Sequence, residues 1–225
     1  MIILFDADSL IYSSCINVED LEDACAKFDE VLMSIVNKLD EEYDVQELIV
    51  FNSARGNFRK IILDSYKANR TSPKPPLLSQ LSDHVTKEYN SKIAYGMETD
   101  DLVAIYWNKL QKQFGRSNVI IVAIDKDYKQ LPCMLYNYHI KHQTMWNISE
   151  VQAMYNFYTQ MVVGDSADNV NFCKGYGVKY AERIFKNCKT KYQFMKKTFE
   201  LFKQIYRSKA REKFIICHTI LKLRT

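Results

Sequence analysis

The residues best equipped for chemistry in this chain are acids, and they come in short, closely spaced groups. "FDAD" carries Asp6 and Asp8, "METDD" carries Glu98, Asp100 and Asp101, "IDKDY" carries Asp125 and Asp127, and "GDSADN" carries Asp165 and Asp168. In METDD the three carboxylates run straight into an apolar helical pattern. Acids near a helix N-terminus oppose the macrodipole and cap free N–H groups, which accounts for one or two of them. A third repels the others unless positive charge lies among them. Clusters of oxygen donors select hard divalent ions, Mg²⁺ or Mn²⁺.

Such a cluster needs elements that bring its members to one place. "MIILFDAD" reads as a buried strand ending in polar residues, Leu21 to Leu39 as a helix by its apolar spacing, and "ELIVFN" as a second buried strand. Pro73, Pro75 and Pro76 make "RTSPKPP" an exposed basic loop, with a helix starting near Leu77. A helix from Thr99 to about Phe114 precedes "NVIIVAID", the clearest buried strand, and shorter strands follow near "MLYNYH" and "KHQTMW". From Ser149 onward the pattern is helical, broken at "GDSADNVNFCKGYG". The expectation is an α/β core with a mostly parallel sheet and a helical C-terminal region. The acids after the strands then converge at the sheet edge where open α/β folds bind ligands.

Length and composition bound the possibilities. The chain has 225 residues, 47% hydrophobic and 26% charged, as in a globular protein. Asp6 and Asp8 interrupt the apolar N-terminal run too early for a signal peptide, and no stretch approaches the ~18 apolar residues of a membrane span. A cytoplasmic protein without membrane contact is expected. The six cysteines contain no C-x-x-C pair, so neither a zinc site nor a disulfide framework is indicated. Net charge is +4 but uneven: 11 acidic and 2 basic residues between Asn17 and Glu47, 10 basic and 2 acidic between Lys186 and Lys213, 6 basic and 1 acidic between Arg55 and Lys74. Basic zones interleaved with aromatic residues suit a nucleic acid.

The series "FDAD", "FRKIILDSYKANR", "METDD", "IDKDYKQLP" and "GDSADN" with a glycine-bearing turn resembles the 5′-nuclease family of bacteriophage 5′-to-3′ exonucleases and the flap-endonuclease domain of bacterial DNA polymerase I. The match spans roughly Ile2 to Phe185. The resemblance implies a PIN-like fold over residues 1–148, with a basic gateway about 58–80, and a helical region over 149–225 with a duplex-gripping turn about 164–185, all one integrated domain. It implies hydrolysis of phosphodiesters near 5′ ends of flap, nicked or duplex DNA, with RNA primers as a further substrate, by a monomer working with replication proteins. Carried over by position, Asp6, Glu98, Asp100 and Asp101 surround a first ion, and Asp125, Asp127, Asp165 and Asp168 extend to a second. Lys67 and Arg70 approach the scissile phosphate, Tyr66 stacks on a terminal base, and Arg59 contacts phosphate. Lys174, Gly175, Gly177 and Lys179 form the turn that grips duplex and holds K⁺, and Lys196 and Lys197 extend the grip.

The chain departs from the family at two places. Asn52 or Ser53 stands where an aspartate is usual after the second strand, implying a weaker first-ion site, and "VNF" replaces the usual proline and first glycine after GDSADN. Asp8 is read as a cap for a helix starting at Ser9. Two rival readings remain at this stage: a PIN-like ribonuclease on single-stranded RNA, and a nucleic-acid-binding homologue with weakened catalysis. His84, His139, His142 and His218 lack partners at catalytic or metal spacing, and Trp107 and Trp146 read as core.

Overall fold

The computed structural model describes residues 1–54 and 56–225; Arg55, counted above in a basic zone, lies outside the described residues. Its centre is a six-stranded sheet of order β3-β2-β1-β4-β5-β6. The strands are β1 (Ile2–Asp6), β2 (Glu47–Ser53), β3 (Lys92–Ala94), β4 (Val119–Val122), β5 (Met134–Asn137) and β6 (Thr144–Asn147). Every pairing is parallel except β5 with β6. Strands covered on both faces read as continuous apolar runs, and β1 and β4 are buried along their whole length.

Alternation along β1 divides the core. Ile3 and Phe5 join Phe28, Leu32 and Leu81 on one face, while Ile2 and Leu4 join Val103, Ala104 and Trp107 on the other. The first layer comprises α1 (Asp8–Ser14), α2 (Leu21–Tyr43) and α4 (Leu78–Glu88); the second is α5 (Thr99–Phe114). The α2 helix runs one turn beyond the expected Leu39, starting where the Asp20 side chain accepts the Asp23 N–H and ending at Asp44, whose φ is +50°. Two elements have no counterpart in the sequence reading: α3 (Phe58–Ile62) and β3, which at five and three residues are too short for periodicity to register. Asp8 caps nothing. Its carboxylate accepts the Ser53 N–H at 3.0 Å and the Thr99 hydroxyl at 2.7 Å, tying the end of β2 to the start of α5.

The C-terminal helices are α6 (Glu150–Val163), α7 (Val178–Phe185), α8 (Lys191–Tyr206) and α9 (Ala210–Leu221). Capping boxes from Ser149 with Gln152 and from Thr190 with Gln193 start α6 and α8. Phe157, Tyr158, Phe185, Phe194 and Phe202 supply a third core between them. All six cysteines are free.

The last residues lock this helical part to the sheet. Gln130 donates to the Leu221 carbonyl at 2.9 Å and accepts the Leu223 N–H at 3.0 Å, and the Arg224 N–H donates to Asp101 at 3.0 Å. Arg59, expected to contact phosphate, is instead 2% exposed at this junction. Its guanidinium donates to both oxygens of Asp101 at 2.5 and 2.9 Å, and its Nε donates to the Ile220 carbonyl at 2.7 Å. One side chain thus joins α3, α5 and α9, and nucleic acid cannot reach it.

Removing one partner of a buried ion pair strands the other charge. Arg59→Ala is expected to lower unfolding free energy by about 3–5 kcal/mol in urea titrations; a loss below about 1 kcal/mol, the scale of exposed pairs, would contradict this role.

Candidate metal and nucleic-acid site

Each acid reaches the cleft by a local device. Asp6 ends β1. Asp125 follows β4 and accepts the Asp127 N–H at 2.8 Å, curling residues Lys126–Gln130 into a tight turn that aims both acids to one side. Asp100 and Asp101 sit in the first turn of α5. At the end of α6, Gly164 has φ +83° and a Cβ there would lie 2.4 Å from the Val170 carbonyl oxygen, so only glycine fits. Asp165 then exchanges backbone hydrogen bonds with Val170 at 2.7 and 2.8 Å, closing a loop that presents Asp168.

Two trios of carboxylates can each offer oxygens within 4.8 Å of one another: Asp100, Asp125 and Asp127, and Asp127, Asp165 and Asp168. Asp127 belongs to both. Asp125 thus lies in the trio with Asp100, and Asp6, Glu98 and Asp101 of the expected first group fall outside both trios. Asp101 is engaged by Arg59 through both oxygens. Asp6 accepts the Tyr128 hydroxyl at 2.6 Å and the Asp8 N–H at 3.2 Å. Glu98 accepts the Tyr66 hydroxyl at 2.6 Å and an ion-paired hydrogen bond from Lys67.

The cluster is laced with cations. Lys67 lies between Glu98 and Asp168, and Arg70 donates to Asp168 at 3.0 Å. Lys67 has φ +55°, a strained conformation for a non-glycine residue, held by its N–H donating to the Asp168 carbonyl at 2.9 Å. Lys126 donates to Asp165 at 2.8 Å, and Gln160 donates to Asp127 and Asp165 at 2.8 and 2.9 Å. Tyr66 is not a stacking platform: it is 2% exposed, with its hydroxyl against Glu98 and against Asp168 at 2.7 Å. Asn52 cannot serve as a neutral ligand, because its amide donates to Ser82 and Thr86 on α4 and its oxygen accepts the Ser91 hydroxyl.

Burial, reinforced by charge crowding, sets the protonation states. Burial, then the neighbouring Asp8, pushes Asp6 up to about 8. Burial, then Asp125 and Asp165, does the same to Asp127, also to about 8. Asp100 is raised well above the usual carboxylate range by burial and Asp101, and Asp125 is raised chiefly by desolvation. Asp165 is the exception: burial works to raise it, but hydrogen bonds from Lys126 and Gln160 outweigh burial and hold it low. Pure oxygen donors that cannot all ionise unaided are what a hard divalent cation requires, so the residues present fit such an ion.

Outside the cleft, Lys174, Lys179, Lys196 and Lys197 are exposed; Gly175 has φ +89° and Gly177 precedes the first turn of α7. Lys197 lies 3.8 Å from Glu200 on its own helix.

The family model described as "5′-3′ exonuclease, N-terminal resolvase-like domain" matches residues 1–158. The chain belongs to the 5′-3′ exonuclease family. It is 27% identical over 221 residues to a 5′-3′ exonuclease of Buchnera aphidicola subsp. Schizaphis graminum, covering 91% of this chain and 72% of the relative. It is 31% identical over 147 residues to DNA polymerase I of Rhizobium leguminosarum, of which it spans only 14%. Among solved structures, a bacteriophage T5 flap endonuclease complex with DNA and metal ions superposes with a TM-score of 0.66 at 14% identity, over 98% of each chain. The mostly parallel sheet with a helical C-terminal region is thus the fold of that nuclease. No helix among the described residues is long and apolar enough to cross a membrane.

Sequence reasoning missed Lys126, Gln160 and Tyr128, which hold Asp165, Asp127 and Asp6. Lys126 stands between two acids, a legible signal; Gln160 lies one turn before Gly164, where only the fold reveals its aim.

Folding in the absence of ions takes up protons at Asp6 and Asp127, so ion-free stability falls as pH rises from near 4 through about 8. Thermal melts from pH 5 to 9 in EDTA and in Mg²⁺ are expected to show an ion-induced rise in Tm that grows with pH; the same rise at every pH would contradict the protonation states. A cation at Asp165 would compete with Lys126, whose side chain is 60% exposed, so its effect is screened. Lys126→Gln is expected to tighten Mn²⁺ binding by up to ~5-fold in calorimetry, on the scale of an exposed ion pair; weaker binding would make Lys126 a support for the site.

Proposed function

We propose that the chain is a divalent-metal-dependent nuclease hydrolysing phosphodiesters near the 5′ ends of flap, nicked or duplex DNA, with RNA primers as a further substrate. The observation that carries this reading is the pair of acid trios sharing Asp127, bordered by Lys67 and Arg70. Asp100, Asp125 and Asp127 would hold one ion and Asp127, Asp165 and Asp168 the other. When bound there, such ions would supply Lewis-acid stabilisation of phosphoryl charge and would lower the pKa of an attacking water.

The chain's own residues do the rest. Asp165 is held ionised and Gln160 fixes its direction, so the second trio is shaped before an ion arrives. Lys67, raised above its ordinary value by Glu98 and Asp168 against the effect of burial, stays protonated at any working pH. Released from Glu98, its ammonium can meet charge building on a phosphoryl oxygen. Arg70, with its side chain 57% exposed, adds a second donor at the rim. Lys174, Lys179, Lys196 and Lys197 supply backbone contacts to the duplex, which fix register without reading sequence. The T5 complex with DNA and metal ions and the Rad2 catalytic core with DNA substrate, TM-score 0.52 at 11% identity, support this assignment by their fold.

Cleavage of a 5′-labelled flap, a nicked duplex and single-stranded RNA, each with Mg²⁺, Mn²⁺ or EDTA, tests the proposal. Ion-dependent release of short 5′ products from the flap and nicked duplex is expected; cleavage of RNA alone, or none, would overturn it. Lys67→Ala is expected to lower turnover by roughly 10²-fold with a smaller change in affinity, as for other electrostatic stabilisers.

A further inference from the structure

A further concavity lies beside the turn that follows Asp125. It is a groove of about 310 Å³ lined by Lys126, Lys129, Asn137, His139, His142 and Trp146, beside Ile124. No carboxylate among the described residues lines it, although Asp125 and Asp127 lie next to Lys126 in the chain. An anion-preferring groove therefore borders a cation-preferring cleft, with Lys126 common to both through its 2.8 Å pair with Asp165.

The groove is built. Asn137 accepts the His139 N–H at 2.9 Å and donates to the Ile124 carbonyl at 3.3 Å, fixing the end of β5 to the end of β4. His139 accepts the Lys141 N–H through Nδ1 at 3.2 Å, which leaves Nε2 as its donor. The His142 ring stands 5.4 Å from the His139 ring. Lys129 holds its ammonium 3.9 Å from the centre of the half-buried Trp146 ring. Ammonium and imidazole donors beside an aromatic face match a phosphate and a base of one nucleotide.

We propose that this groove binds a segment of single-stranded nucleic acid, as a subsite for the strand that leaves the acidic cleft past Lys126. The inference rests on the nuclease reading above and adds a strand path to it. A base stacks on Trp146, Lys129 turns from the ring to the adjoining phosphate, and His139 and His142 donate to the backbone. Trp146, which reads as core from sequence, becomes a contact residue, and so do two histidines that lack partners in the linear chain.

Tryptophan fluorescence reports on this directly, because the only other tryptophan, Trp107, is buried in the core. Titration with a short oligothymidylate in EDTA, where no strand is cut, is expected to quench emission saturably. Trp146→Phe should remove the quenching. Lys129→Ala, a change on the groove wall, should weaken binding by about 3- to 10-fold and flatten the log–log salt slope by ~1. Absence of quenching, equal quenching by a blunt duplex, or an unchanged salt slope in Lys129→Ala would overturn the proposal. Flap cleavage in the same preparations separates the two claims: cleavage without quenching removes the groove and leaves the nuclease, and quenching without cleavage does the reverse.

Discussion

Like charges crowded at one edge of a sheet repel one another, and the structure around this cleft is organised by that repulsion. Where parallel strands end together, acids placed after them must converge, and convergence in a desolvated space disfavours ionisation. The chain meets this with cations of its own. Arg59 neutralises Asp101 from within the core, Lys67 lies between Glu98 and Asp168, and Lys126 holds Asp165. Among the described residues Asp6, Asp100, Asp125 and Asp127 have no ion pair with a cation of the chain, and all four are pushed toward the protonated form, chiefly by burial. The pairing divides the acids: Asp101 is closed inside the core through both oxygens, whereas Asp165 and Asp168 keep their place in a trio beside their cations.

That division explains why METDD tolerates three acids in one helical turn. Asp101 belongs to the frame, tied to α3 and to the residues after α9; Glu98 anchors Tyr66 and Lys67; Asp100 faces the cleft. The same turn thus couples stability to chemistry. A change at Asp101 is expected to act through packing, whereas a change at Asp100 would act through any ion held in the cleft.

Much of this was legible in the sequence. The buried strands, the long helices and the order of acidic motifs follow from periodicity and position, and Thr99–Phe114 has the bounds its pattern implies. What escaped was the pairing. Arg59 and Tyr66 lie in a basic, aromatic stretch that looks suited to nucleic acid, yet the short α3 helix and the turn after it place both inward; neither is long enough to show a buried face by periodicity. Asn52, which looks like a weakened ligand, is a core hydrogen-bonding hub for α4. Sequence shows which residues can carry charge, but a side chain's partner depends on elements far away in the chain, as with Arg59 and Ile220.

The central claim is that the acids at this edge of the sheet form two ion-binding trios that share Asp127. Anomalous diffraction at the manganese edge from crystals soaked in Mn²⁺ measures this most directly. The account predicts two peaks, one bounded by Asp100, Asp125 and Asp127 and the other by Asp127, Asp165 and Asp168. A single peak held by Glu98 and Asp101, with Arg59 displaced, would contradict it.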